Sequence, residues 1–108
     1  MYDGINLVNL TSHPIDIVDG NTRLTISPSG IVARVVSGLK ELGDGFYTRR
    51  WGDVIGLPEP KDDTIYIVSA MVAGRVPDRT DVASPATDLA TKDAYGKIKS
   101  VPGLIINR

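Results

Sequence analysis

The chain contains no cysteine and a single histidine, His13. Without cysteine there are no disulfides and no thiolate metal sites, which suits a reducing compartment. A zinc site would need a rare all-carboxylate remainder around His13. Long apolar runs are also missing. The longest, such as Ile31-Val32-Ala33 and Leu104-Ile105-Ile106, fall far short of the ~20 residues of a membrane span. The opening "MYDGINLVNL" has neither the basic start nor the continuous apolar stretch of a secretory signal, so the expectation is an intracellular protein without a membrane partner. A surplus of one charge is absent too: the net charge of -1 supplies no basic face for a nucleic-acid polymer and no acidic mimic of one. No glycine-rich run leads to the lysine and serine of a P-loop, and no GxGxxG opens a helix. Neither cofactor nor metal is expected.

What is present reads as β structure. At 108 residues, with 42% hydrophobic and 23% charged residues, the chain is expected to form one mainly-β domain. The expected architecture is a small antiparallel barrel or sandwich of about seven short strands. "INLVNL" and "HPIDIV" alternate, with Ile15 and Ile17 on one face and Asp16 and Val18 on the other. Asp19-Gly20-Asn21 supplies a hairpin turn before "TRLTI". In "IVARVVS" the face of Ile31, Ala33 and Val35 is the core candidate. The three glycines of "GLKELGDG" mark a hairpin tip or loop, and "FYTRRWGDVIG" follows as a strand with Gly52 at a bulge or close approach.

"TIYIVS" is the strongest strand, expected to be buried on both faces. After it, Ser69 is placed to cap a short helix from Ala70 to Ala73 that ends at Gly74. The competing reading carries the strand on to Val72. Tyr95-Gly96 is a turn, and "KIKSV" with "GLIIN" is expected to close the fold as a β-pair.

Catalytic chemistry is thinly supplied. Ser12 and His13 are neighbours on an extended chain and point to opposite sides, so adjacency makes no catalytic pair of them. Asp62-Asp63 and Asp19-Gly20-Asn21 lack the ligand spacing of a calcium loop, and turn chemistry accounts for both. Arginine with aromatic residues remains. Tyr47, Arg49, Arg50 and Trp51 lie on one strand, Arg34 on another, and Arg75 and Arg79 flank the loop after the buried strand. A guanidinium offers a planar fork to phosphate or carboxylate, and an aromatic face accepts a base by stacking. The polar loop from Pro77 to Pro85, with Arg79 and Asp81, is the leading site candidate, joined by Arg34, Arg49, Arg50, Trp51 and Arg75. The plainer alternative is that Arg79 and Asp81 close their own loop or meet a second subunit.

The segments "LVNLTSHPIDIV", "ISPSGIVARV", "GLPEP", "TIYIVSAMVA", "RTD", "SP", "DAYGKI" and "PGLI" extend over nearly the whole chain. On them the sequence resembles a family of small proteins encoded in tailed-phage and prophage genomes. That family carries no motif tied to catalysis, so the resemblance transfers no functional residue. It implies a setting: the bacterial host cytoplasm, and an accessory role for phage against host defence. Small proteins of that kind act by binding, some as oligomeric sponges for nucleotide signals and others on a host protein.

Three functions follow from these readings. The first is a non-enzymatic, homo-oligomeric binding protein for a small anionic or nucleotide-like ligand, with the arginines converging on an aromatic. The second is a protein-interaction or virion-associated structural protein, with a flat apolar patch or exposed edge strand and scattered arginines. The third is a small hydrolase built on His13 and a nearby carboxylate. The residue inventory favours binding over catalysis.

Overall fold

The computed structural model describes residues 2–108. Ten short strands and one short helix follow in the order β1 (Asn6–Asn9), β2 (Ile15–Asp19), β3 (Thr22–Ile26), β4 (Arg34–Gly43), β5 (Phe46–Ile55), β6 (Thr64–Ile67), α1 (Ala70–Arg75), β7 (Val82–Pro85), β8 (Thr91–Lys92), β9 (Ile98–Ser100) and β10 (Leu104–Ile106). The mainly-β expectation holds. The sheets do not close into a barrel, however, and the central one is mixed. Its strand order is β1-β6-β7-β10, with β1, β6 and β7 parallel and β10 antiparallel to β7.

The physical basis of this sheet is β6. Tyr66 and Val68 belong to one core cluster with Leu10, Ala33, Val72, Ala73 and Val82. Ile67 belongs to a second, with Ile15, Ile17, Ile26 and Val101. Successive side chains of a strand point to opposite faces, so β6 fills both cores at once, as its unbroken apolar sequence requires. One face of the sheet is covered by α1 and the base of the β4–β5 hairpin, the other by the β2–β3 hairpin. Ile17 is fully buried, and its strand is tied to the C-terminal segment by Val18 N–H to the Val101 carbonyl at 2.9 Å and Val101 N–H to the Asp16 carbonyl at 3.0 Å.

Parallel neighbours need a crossover of a dozen or more residues, and residues 68–81 provide it. Ser69 caps α1 as expected, its Oγ accepting from Val72 N–H at 3.3 Å. Gly74 lies inside the helix, which runs to Arg75. The last turn is closed from outside: Asn107 Nδ2 donates to the carbonyls of Ala73 and Val76 at 3.0 and 3.1 Å. Each of those carbonyls also accepts a backbone N–H, Ala73 from Val76 at 3.2 Å and Val76 from Arg79 at 3.0 Å, so the amide adds a second donor at the helix end.

The expected pairing of "KIKSV" with "GLIIN" does not occur. β9 pairs with β8 around the Asp93–Gly96 turn, and β10 crosses to β7. The Pro102-Gly103 step between them redirects the chain, and the apolar β10 is drawn to the free edge of the central sheet. In "IVARVVS", Ala33 is buried while Ile31 stays exposed, and Val35 packs half-buried on the first core.

The turns follow local rules. Gly20 takes φ 61 as the first central residue between Asp19 and Thr22, the position a type II′ turn reserves for glycine. At the tip of the β4–β5 hairpin both central residues, Asp44 and Gly45, have positive φ (54 and 82), the signature of type I′. That hairpin is an arm. Its two ten-residue strands give the molecule a 56 Å long axis and a radius of gyration of 16.1 Å, against about 13 Å for a compact chain of this length.

Candidate functional site

The arm sorts the predicted residues by face. Val35 pairs with Val54, Ser37 with Trp51, Leu39 with Arg49 and Glu41 with Tyr47. Directly opposed residues share a face, so this face begins in the core at Val35 and Val54 and runs outward past Trp51 to Tyr47. A bulge sets Gly52 and Asp53 against Val36 alone. It realigns the two strands so that Trp51 and Val54 fall on the same side. Arg34, opposite Ile55, and Arg50, opposite Gly38, alternate onto the other face. They lie apart from Trp51, and three residues of β4 separate Arg34 from Gly38, the position facing Arg50.

Two guanidiniums converge on Trp51. The Cζ of Arg49, two residues before it on the same face, is 5.6 Å from the indole centroid. The Cζ of Arg75, from the last turn of α1, is 5.5 Å away. Both lie within the ~6 Å reach of a cation–π contact. Arg49 also donates to Ser37 Oγ across the arm at 3.3 Å. Trp51 keeps 42% of its surface exposed, so the stack is a surface platform and no part of the core. Neither arginine is paired with a carboxylate: among the described residues the one ion pair is Arg79–Asp81.

Arg79 and Asp81 are engaged elsewhere. Arg79 Nε and one terminal nitrogen donate to the two Asp81 oxygens at 2.8 and 2.9 Å. The same terminal nitrogen reaches the Pro58 carbonyl at 2.8 Å. The contact joins residues 77–81 to the "GLPEP" loop that follows the arm; the loop expected to reach Pro85 is shorter, because Val82–Pro85 form β7. The Arg79 hydrogen bonds hold the Asp81 carboxyl below its ordinary value, and the carboxylate in turn raises the guanidinium. Tyr66 secures the same loop, its hydroxyl donating to the Glu59 carbonyl at 3.2 Å.

His13 sits in a tightly held loop. Asn9, 1% exposed, donates to the carbonyls of His13 and Ile26 at 2.8 and 3.0 Å. Its own carbonyl accepts from the Thr11 N–H at 2.9 Å and the Thr11 hydroxyl at 2.7 Å. The buried amide thus uses all its principal hydrogen-bonding capacity to fix residues 9–13. The His13 ring is exposed and borders a cleft of ≈ 490 Å³. The nearest carboxylate lining that cleft, Asp16, accepts from Thr25 Oγ1 at 2.7 Å. No group of three or more His, Cys, Asp or Glu among the described residues is placed to hold a metal.

Sequence reasoning passed over this cleft. Its lining comes from segments that meet only because β1, β6 and β7 run parallel: Thr11 and His13 after β1, Ser69 after β6, Thr87 after β7. The carboxyl ends of parallel strands are where such crevices form, a signal hidden while the strands were read as antiparallel. No helix is long and apolar enough to cross a membrane. No family model, curated protein or solved structure matches the chain.

Proposed function

We propose that the protein is a non-enzymatic binding protein that self-associates through its β4–β5 arm and holds a small anionic, nucleotide-like ligand on the Trp51 platform. The observation that carries this reading is the pair of guanidiniums, Arg49 and Arg75, on one exposed indole with no carboxylate to neutralise them. A base displaces one guanidinium from the indole and stacks in its place, and the two guanidiniums take its phosphate through charge-assisted hydrogen bonds. Arg79 supports the fold beside the site. In the phage setting that the sequence resemblance implies, the role is to sequester a nucleotide signal of host defence.

Trp51 is the sole tryptophan, so its fluorescence reports directly on the platform. Titration with AMP and with a cyclic dinucleotide is expected to quench it saturably with at least one of them. Arg49→Ala or Arg75→Ala weakens that binding about ten-fold, as loss of a hydrogen bond to a charged group does. An unchanged spectrum with millimolar ligand, in protein shown to be folded, refutes the platform.

The second reading, a protein-interaction or structural protein, is favoured by one separate observation. Leu39, Leu42, Phe46 and Tyr47 near the arm's tip are each 59–68% exposed, and a concentration of exposed apolar side chains marks contact sites. Sedimentation separates the two readings. Self-association lost in Leu39→Asp supports the arm as a homo-oligomer contact, whereas a monomer that quenches with nothing small favours a heterologous protein partner.

A further inference from the structure

We propose that the cleft at the carboxyl ends of β1, β6 and β7 is a second binding site, for a small carboxylate with an apolar body. Its volume of ≈ 490 Å³ falls inside the ~300–1,000 Å³ range of small-molecule pockets. Most of the wall is apolar, formed by Pro14, Ile15, Ala70, Pro85, Ile98 and Val101.

The polar groups divide into those already engaged and those left over. Thr11 Oγ1 donates to Asn9 Oδ1 at 2.7 Å, Asp16 accepts from Thr25 at 2.7 Å, and Ser69 caps α1. The His13 imidazole, the Thr87 and Ser100 hydroxyls and the Lys99 ammonium have no side-chain hydrogen bond or ion pair among the described residues. The uncommitted set is therefore two hydroxyl groups, one imidazole and one cation. Together they suit a single carboxylate at the rim, with an apolar body against the wall.

The set has neither the planar guanidinium fork nor the exposed aromatic face that a nucleotide uses, and the cleft is thus distinct in chemistry from the Trp51 platform. The two lie at opposite ends of α1, Ala70 lining the cleft and Arg75 on the indole. Six residues of helix set them on the order of 10 Å apart. The cleft is also well supported. Asn9 fixes the His13 loop, and Pro85 lines the cleft from the end of β7, whose preceding residues are buried, as a preorganised site requires.

His13 is the sole histidine, so its ring proton resonances report on the cleft alone. The experiment titrates the full chain with benzoate and, separately, with inorganic phosphate while following those resonances. Benzoate is expected to shift them saturably with a Kd on the order of 1 mM, reasonable for so small a ligand, and phosphate to leave them nearly unmoved. Lys99→Ala, at an exposed position, weakens benzoate about five-fold or more. Thr87→Tyr, also exposed, fills the cleft and abolishes the shift with the thermal midpoint retained. A benzoate shift that stays linear with concentration overturns the proposal. So does one matched by phosphate, or one unchanged in both variants.

Discussion

Arg79→Ala tests whether the charged loop after the buried strand is a staple or a ligand site. In the folded chain Arg79 makes two hydrogen bonds to Asp81 and one to the Pro58 carbonyl, 21 residues away. The side chains are 24% and 16% exposed, so solvent screens the pair only in part. A hydrogen bond to a charged group contributes ~1.5–3 kcal/mol when well sheltered, while an exposed ion pair contributes ~0–1 kcal/mol. With three bonds between these limits, and two of them spanning only two residues, the expected loss is about 2 kcal/mol. In a domain of this size that lowers Tm by ~8 °C. Urea unfolding measures it directly, and Arg79→Lys, which keeps the charge and loses the fork, is expected to forfeit about half.

The pH dependence carries the sign. The folded pKa of Asp81 lies below its ordinary 3.8, through its hydrogen bonds to Arg79. Its contribution is therefore complete above the unfolded value and lost as pH falls through the folded one. The Arg79 guanidinium is raised by the same hydrogen bonds, which adds nothing to the acid limb. The difference between wild type and Arg79→Ala should be constant across about pH 5–8 and shrink below the ordinary carboxylate range. A loss under ~0.5 kcal/mol, of the size of an ordinary surface change, would refute the staple. So would a difference that persists unchanged into strong acid.

Substitutions at Asn9, Gly56 and Ser69, with controls, probe the frame around the two sites. Asn9→Leu removes the amide that satisfies the Ile26 and His13 carbonyls. It should cost about 2–4 kcal/mol in urea unfolding, because the Thr11 hydroxyl, released from Asn9 Oδ1, can turn to the His13 carbonyl while that of Ile26 loses its side-chain donor. Gly56→Ala places a Cβ 2.6 Å from the Val32 backbone carbonyl at φ +81. It is expected to cost at least ~3 kcal/mol, whereas Gly30→Ala, at φ +98 with open space around it, costs only the ~1–2 kcal/mol of left-handed backbone. Equal midpoints for the two variants would contradict that reasoning. Ser69→Ala should lose ~1 kcal/mol and Ser69→Asp almost none, since only the cap acceptor to Val72 N–H changes.

The sequence was most legible where the determinants are local. The positive-φ turn at Gly20, the cap at Ser69 and the bulge at Gly52 each rest on a few adjacent residues, whereas the expected loop over residues 38–45 is too long: β4 runs to Gly43 and the turn is confined to Asp44-Gly45. β6 announced its burial through composition alone. Strand alternation already placed Arg49 with Trp51 and set Arg50 against them. What stayed hidden is long-range. The short helix after β6 is readable from Ser69 onward, but nothing local shows that its 14-residue connection turns β6 and β7 parallel, and with that went the cleft. Arg75 reaches Trp51 only because that helix lies against β4, a juxtaposition no spacing in the chain encodes. Likewise β9 and β10 had matching apolar patterns, and only the free edge beside β7 decided that they part.

The arm connects these observations. A two-stranded ribbon is marginal in water unless a face is covered, and outside Val35 and Val54 this one exposes Leu39, Phe46 and Tyr47. Beyond that base, the side-chain tie from the body to the arm is the contact of Arg75 with Trp51, worth ~0.5–1 kcal/mol at an exposed site. A tie of that size holds the arm only weakly against the body. Under the proposed function, an anion that engages Arg75 and Arg49 over the indole binds the held arm better than the loose one, and binding then stiffens the ribbon. A second copy that covers the apolar tip biases the same equilibrium in the same direction. The two ligands of the arm, a small anion at its base and another chain at its tip, would each raise the affinity for the other, with no contact between them.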